Sequence, residues 1–315
     1  MSVGVIPEEA VIGPFVVHRA LARGGMATVY QATNSQNGRQ VAIKISRFAE
    51  SDRRYGNALR FEADLLENLD HPNIVDVVPI PIPDTRILPV AAKAINQRGS
   101  PWYYVMEYLD GGSLTGYIEG GGILPADIVA SVGYQVGRGL LYLHKKGFAH
   151  LDVKGDNILF RYPLRKGALL HAVLVDFGVA AQTSRGLEAA GGTLLIMAPE
   201  RLAAPSNENG ERIPLDAAKM DTYALGVTMY RTLTGQYPFA GFNQRALIAS
   251  ILSSPIVPPA EIVRDMPQEV NTIVMRCLEK DPRQRISLAA LVAQLERLPY
   301  RISRLNRDLH PAESE

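Results

Sequence analysis

The stretch His150-Leu151-Asp152-Val153-Lys154-Gly155-Asp156-Asn157 holds residues that could do chemistry, and Asp176-Phe177-Gly178 follows nineteen residues after Asn157. Asp152 is a carboxylate able to accept a proton from a hydroxyl. Lys154 puts a cation two residues away, where negative charge could develop. Asn157 and Asp176 are oxygen donors of the kind a hard divalent ion takes. Together these groups suit transfer of a phosphoryl group. The four fixed identities of H-x-D-x-K-x-x-N arise by chance in roughly one chain of this length in five hundred.

Two more places carry charge or small residues where strands are expected. Lys44 ends the apolar run Val41-Ala42-Ile43-Lys44. An ammonium on a strand that reads as core needs an anionic partner, because burying it alone is costly. Glu62 on the following helix is the natural carboxylate; taken singly, either residue reads better as surface. Ala22-Arg23-Gly24-Gly25-Met26-Ala27-Thr28-Val29 lies between two strands. Small residues there would let backbone N–H groups approach phosphate oxygens. On the residues alone, the same segment reads equally well as a plain hairpin turn.

The elements that must position these groups can be read from periodicity. Residues 11–17, 27–32 and 40–45 read as strands. Residues 54–69 form an amphipathic helix with Leu59, Ala63, Leu66 and Leu69 on one side, stopped before Pro72. Strand-like runs follow at 74–82 and 102–108. After Gly111-Gly112 the character changes. Residues 126–145 are a long helical pattern, and 158–160 and 172–175 look like short strands. Residues 221–233 are apolar on nearly every face, as in a helix buried in the middle of a lobe. Three stretches look inserted, 79–101, 161–167 and 203–219, and read as solvated loops.

The 315 residues are 47% hydrophobic with net charge +1, enough for a large core and no argument for a nucleic-acid partner. One cysteine, Cys277, excludes an intramolecular disulfide framework and reads as a buried core residue. The first ten residues do not resemble a signal peptide, and no run of eighteen apolar residues appears. The expectation is a chain without a membrane span in a reducing, cytoplasmic setting.

Val41–Lys44, His150–Asn157, Asp176–Gly178 and Ala198-Pro199-Glu200 stand in the order of the protein-kinase signature set V-A-I-K, H-R-D-L-x-x-x-N, D-F-G, A-P-E. Over residues 13–297 the chain resembles the eukaryotic-type Ser/Thr protein kinases. The Gly24-Gly25-Met26 wording is similar to their bacterial branch. The resemblance implies an α+β, bilobal fold with a strand-rich N-lobe and a mostly helical C-lobe. It divides the chain into an extension (1–12), an N-lobe (13–108), a hinge (107–112), a C-lobe (113–297) and a basic tail (298–315).

It also implies roles. Asp152 accepts the acceptor hydroxyl's proton and Lys154 stabilises the moving phosphoryl group. Asn157 and Asp176 hold Mg²⁺ or Mn²⁺. Lys44 contacts the α and β phosphates of ATP and pairs with Glu62. Ala22, Gly24, Gly25, Met26 and Ala27 form the phosphate loop. Met106 gates the adenine pocket, the backbone of Glu107 and Leu109 bonds the adenine edge, and Val29, Ala42 and Leu159 sandwich the ring. Thr193 bonds Asp152 and Lys154 and favours Ser/Thr acceptors on a protein substrate. Leu66, His150 and Phe177 fall where the family stacks a spine, Glu200 and Arg285 where an ion pair closes the C-lobe, and Asp221 where the catalytic loop is braced.

Three departures matter. Leu151 replaces the usual Arg, which in the family pairs with an activation-loop phosphate, so activity is expected to need no phosphate on Thr183 or Ser184. Ala22 and Ala27 thin out the glycine loop, and a methyl at Ala27 would hold it off the phosphates. Ile196 stands where an aromatic is usual, which implies a differently shaped wall beside the acceptor. The oligomeric state is not readable. Near the end, Arg297, Arg301, Arg304 and Arg307 would form a basic stripe on a solvated terminal helix. A nucleotide-binding pseudokinase is the alternative that Ala22, Ala27 and Leu151 support, and a small-molecule kinase is a third.

Overall fold

Gly13 divides what reads as a single first strand. It takes φ +56°, and a Cβ there would lie 2.7 Å from the Tyr103 hydroxyl, so conformation and space both call for glycine. The chain doubles back: β1 (Val11–Ile12) pairs with the start of β2 (Phe15–Arg23), Ile12 opposite Phe15. The computed structural model describes residues 5–81, 88–182, 192–203, 215–299, 302–305 and 308–309. It divides into two units, Met1–Leu109 and Asp110–Glu315.

The first unit is an antiparallel sheet with one helix. β3 (Ala27–Asn34), β4 (Gln40–Ser46), α1 (Arg53–Glu67), β5 (Ala91–Lys93) and β6 (Trp102–Glu107) follow in sequence, and the sheet order is β1-β2-β3-β4-β6-β5. Alternation decides which face is core. Phe15, Val17, Tyr30, Ala32, Val41, Ile43, Ile45, Tyr103 and Val105 all belong to one buried cluster. The intervening residues must point the other way, and these include Val29, Ala42, Lys44, Tyr104 and Met106.

Two expectations fail in this unit. Residues 74–81 do not form a regular strand: they make the isolated Val77–Met106 bridge and scattered bonds, Glu107 N to Asp76 O (2.9 Å), Val78 N to Val105 O (2.8 Å) and Ile80 N to Pro89 O (2.9 Å), and residue 82 lies outside the described residues. Pro79 and Pro81 have no N–H to give a ladder. The 79–101 stretch, read as solvated, contains β5, whose Ala91 pairs with Tyr104, and the buried Val90 and Ala94. Three residues of modest strand propensity gave no signal; β6 supplied the template.

The second unit is mainly helical. α2 (Leu114–Gly121) starts at Ser113, whose Oγ accepts from Gly116 N at 3.1 Å, an N-cap that satisfies one orphan donor. Then come α3 (Ala126–Lys145), β7 (Phe148–Ala149), β8 (Ile158–Phe160), β9 (Ala172–Leu174) and β10 (Ala181–Gln182), with β8 pairing β9 and β10 pairing β7. α4 (Pro199–Ala203), α5 (Ala217–Thr234), α6 (Gln244–Ser253), α7 (Pro259–Ile262), α8 (Gln268–Cys277) and α9 (Leu288–Glu296) complete it. α5 is buried on nearly every face, as its composition predicts. Gly226 lets it approach α8, since a Cβ there would meet the Cys277 Cβ at 2.5 Å.

The Glu200–Arg285 pair forms. Arg285 donates from Nη1 to Glu200 Oε1 (2.7 Å) and from Nη2 to Oε2 (2.8 Å), and its Nε and Nη1 also bond the Glu279 and Lys219 carbonyls. A buried fork with every arm used fixes where the Glu200 segment lies against the α8–α9 connection.

The ends of this unit differ from expectation. Residues 302–305 are not helical: Arg304 bridges Leu169 in an extended pairing, and α9 stops at Glu296. Arg301 and Arg307, like Thr183, Ser184 and residues 205–210, lie outside the described residues. The 161–167 loop is not simply solvated, since Leu164 is buried beside this terminal segment and accepts from Leu309 N at 2.9 Å. Helical spacing of the arginines misled because backbone pairing with the loop outweighs a weak helical preference.

Arg285→Met should lower unfolding free energy by about 3–5 kcal/mol in urea denaturation, since it leaves Glu200 buried without its partner. Cys277 is fully buried, which pushes its thiol up to about 12. Native protein should therefore resist iodoacetamide at pH 8.5, and urea-unfolded protein should take up one label, by mass spectrometry.

Candidate active site

In the first unit the register builds a row across the sheet. Ala22 pairs with Val29, Val29 with Lys44, and Lys44 with Tyr104. The next row holds Gln31, Ala42 and Met106. Small and apolar side chains thus lie around one ammonium. The sequence frame named most of these residues; the register explains why they share a face.

The α1 helix carries Glu62 onto that face. Lys44 Nζ donates to Glu62 Oε1 at 2.7 Å and Oε2 at 2.8 Å, and the Tyr104 hydroxyl donates to Oε1 at 3.0 Å. Glu62 is 2% exposed. A carboxylate so enclosed needs these donors, and they settle that α1 is held with Glu62 against Lys44. Sequence reasoning missed Tyr104; its spacing of two from Met106 on a strand was the available signal.

Gly24, Gly25 and Met26 form the β2–β3 turn, closed by Gly24 N donating to Ala27 O at 2.9 Å and held by Arg47 Nη1 on Gly24 O at 2.8 Å. A Cβ on Gly25 would meet nothing within 4 Å. The fold by itself has no steric need for glycine there. Ala27 is buried and Met26 exposed. Met106 and Leu109 are buried. Glu107 gives its N–H to Asp76 O at 2.9 Å, and its Oε1 accepts from Asp76 N at 3.2 Å.

In the second unit, Asp152, Lys154, Asn157 and Thr193 come together. Asp152 Oδ2 takes Lys154 Nζ at 2.8 Å and Asn157 Nδ2 at 3.1 Å, while Oδ1 accepts from Thr193 N at 3.0 Å. Lys154 Nζ also donates to Thr193 Oγ1 at 2.8 Å. Thr193 therefore does touch both expected partners, but it reaches Asp152 through its backbone. Ile196 is buried.

Asp221 fixes the loop from which Asp152 projects. Fully buried, it accepts from His150 N (2.9 Å) and Leu151 N (2.7 Å), and bonds His144 Nε2 at 2.8 Å. Leu151 stands at φ +64°, a conformation costly for a branched side chain and tolerated where surroundings impose it. Its side chain is buried rather than offered to a partner. His150 is also buried, with Nε2 3.2 Å from Val175 O and its ring edge-on to Phe177 at 4.8 Å. His144 had no sequence signal, because only the fold brings a residue near the end of α3 to α5.

Asn157 and Asp176 follow from the β8–β9 pairing. Val175 N donates to Asn157 O at 2.9 Å, so Asp176 comes just past the residue opposite Asn157. The Asn157 amide nitrogen is spent on Asp152 O (2.9 Å) and Oδ2, which turns its oxygen the other way. Asp176 is exposed, at φ +61°, with Oδ1 accepting from Gly178 N at 3.3 Å. An amide oxygen and an exposed carboxylate fit a Mg²⁺ site, which keeps waters and phosphates as its remaining ligands. Among the described residues, no group of three or more His, Cys, Asp or Glu could hold a metal, and such a site needs none. Leu159 is half-buried on β8, opposite Val173.

The fold and these residue sets are those of a protein kinase. Residues 15–295 match the family described as protein kinase domain, and the chain belongs to it. It is similar to a probable serine/threonine-protein kinase, CPE1738, of Clostridium perfringens: 29% identical over 282 residues, covering 89% of this chain and 37% of that one. It is similar to the serine/threonine-protein kinase PrkC of Bacillus subtilis, 28% identical over 282 residues, 89% and 40% covered. The chain thus spans less than half the length of these relatives. The crystal structure of Rad53 1-466 in complex with AMP-PNP matches with TM-score 0.67 and 24% identity over 92% of this chain and 66% of that one, a likeness of fold. No described helix is long and apolar enough to cross a membrane.

Lys44→Met should cost about 3–5 kcal/mol of stability by leaving Glu62 buried without its cation. Adding Glu62→Met should recover most of it in urea denaturation. Additive losses would show that the two residues are not coupled.

Proposed function

We propose that the chain is an active Ser/Thr protein kinase that moves the γ-phosphoryl group of ATP to Ser or Thr hydroxyls of protein substrates. The observation that carries the reading is the Asp152 carboxylate, aimed by Lys154, Asn157 and the Thr193 amide within one unit. A base held this way can orient an acceptor hydroxyl and take its proton. Lys154, shared between Asp152 and Thr193, stands beside that hydroxyl and offsets charge on the moving group. The Thr193 hydroxyl contact belongs to this arrangement and supports a Ser/Thr acceptor.

Lys44, held by Glu62, is the cation for the α and β phosphates. Gly24, Gly25 and the loop from Ala22 to Ala27 let backbone N–H groups approach phosphate. The Glu107 carbonyl and the Leu109 N–H bond the adenine edge, Met106 bounds the pocket, and Val29 and Ala42 supply apolar walls from the sheet. Asn157 and Asp176 would hold Mg²⁺, or Mn²⁺ in its place, which when bound neutralises phosphate charge. With Glu62 on Lys44 and every chemical residue present, the pseudokinase reading that Ala22, Ala27 and Leu151 support is the weaker one. The free, buried Cys277 suits a reducing, cytoplasmic setting.

Control is the unusual part. Leu151 offers no cation to an activation-loop phosphate, and Asp221 already holds the loop. Phosphorylation there is therefore not needed for activity.

The test is transfer of label from ATP with Mg²⁺ to a generic basic protein. Asp152→Ala should lower the rate about 10²–10⁴-fold while nucleotide binding persists. Binding with no transfer by the unaltered chain under several metals would overturn the assignment. Thr183→Ala with Ser184→Ala should retain most activity, and its loss would refute phosphate-independent control.

A further inference from the structure

The segment beyond the family's matched region does something the family frame does not describe. Residues 302–305 and 308–309 dock on the loop joining β8 to β9. Gly167 N donates to Leu305 O (2.8 Å), Leu305 N to Ala168 O (3.0 Å), Leu170 N to Ser303 O (2.9 Å) and Leu309 N to Leu164 O (2.9 Å). Side chains add to this backbone pairing. Lys166 N donates to Asp308 Oδ1 at 2.8 Å, and Arg304 Nη1 to Gly167 O at 3.0 Å. Leu305 is 3% exposed, and Leu164 and Leu170 are also buried. This is β-augmentation of a hairpin loop by the chain's own tail.

The hairpin it extends is the one with Asn157 and Asp176 at its open end. Three residue pairs separate the ends: Ile158 with Leu174, Leu159 with Val173, and Phe160 with Ala172. That is about 10 Å of ladder at strand rise. The loop end is tied to α3 as well. Gln135 donates to Leu170 O (2.7 Å) and accepts from Ala172 N (2.8 Å), and Ser131 Oγ accepts from Ile302 N (2.9 Å). A two-stranded ribbon is marginal alone. Strapped at its loop and tied to a long helix, it becomes a rigid carrier.

We infer that the terminal segment is a strap that positions the metal-holding residues through the β8–β9 hairpin, with Leu305 as its anchoring, positioning residue. The inference rests on the assignment of Asn157 and Asp176 to the metal. Loosening the strap lets the hairpin twist, and the spacing of Asn157 and Asp176 becomes less defined. The consequence falls on metal-nucleotide affinity more than on the transfer step, because Asp152 and Lys154 are held separately by Asp221 and Thr193. Residues 15–295 carry the family match, so the strap lies outside the matched region.

The test uses the full chain with Leu305→Asp, Leu305→Met as the conservative control, and Asp176→Asn as reference. Amide hydrogen exchange without nucleotide reads the hairpin, and electron paramagnetic resonance reads Mn²⁺ binding in the presence of ATP. Leu305→Asp should speed exchange at Val173 and Val175 and weaken Mn²⁺ binding about threefold to thirtyfold, with kcat little changed at saturating metal. Leu305→Met should match the unaltered chain. Arg304→Ala with Asp308→Ala, which spares the buried leucine, should shift both readouts the same way by less. Faster exchange confined to residues 161–171, with Mn²⁺ affinity unchanged by Leu305→Asp but weakened by Asp176→Asn, would overturn the strap. If Asp176→Asn leaves Mn²⁺ affinity intact, the metal assignment falls instead, and exchange at Val175 still decides whether the strap reaches the stem.

Discussion

The buried carboxylate of Asp221 is the constraint on which the second unit's chemistry depends. Its two oxygens collect the backbone N–H groups of His150 and Leu151 and the ring of His144. Without it, two buried amides would lose their acceptor, at a cost comparable to lost hydrogen bonds. With it, Leu151 can stand at φ +64°, and the chain turns there to aim Asp152 at Lys154, Asn157 and Thr193. The most buried acidic group in this unit thus does no chemistry itself. It converts the end of β7 and the start of α5 into one rigid mount.

The same logic recurs at two buried ion pairs. Lys44 and Glu62 tie α1 to the sheet, and Glu200 and Arg285 tie the end of the activation segment to the connection between α8 and α9. Pairs of this kind contribute little net stability against apolar replacements, since desolvation opposes their attraction. Their effect is geometric: each has few acceptable arrangements. The apolar core sets how stable each unit is, and the pairs set which residues face which.

Much of this is legible in the sequence. His150–Asn157 and Asp176–Gly178 announced the chemistry by residue type and spacing, and the apolar character of α5 announced its burial. The limits of α3 could be read from periodicity. Other elements were hidden for identifiable reasons. β5 has no pattern of its own and exists because β6 offers an edge. The 74–82 run looked like a strand, yet its prolines cannot join a ladder. The arginines near the end suggested a helix, and the backbone groups of the 163–170 loop claimed that segment instead.

The sequence by itself determined the class of chemistry, because the identities and order of Lys44, Asp152, Lys154, Asn157 and Asp176 leave few other uses for them. It also foretold that residue 151 could not bind phosphate. Only the tertiary structure decided that Glu62 is on Lys44, that Tyr104 and His144 belong to the two networks, and that the tail lies along the β8–β9 loop. Those are contacts between residues far apart in the chain. They depend on register, helix placement and buried hydrogen bonding, none of which local pattern encodes.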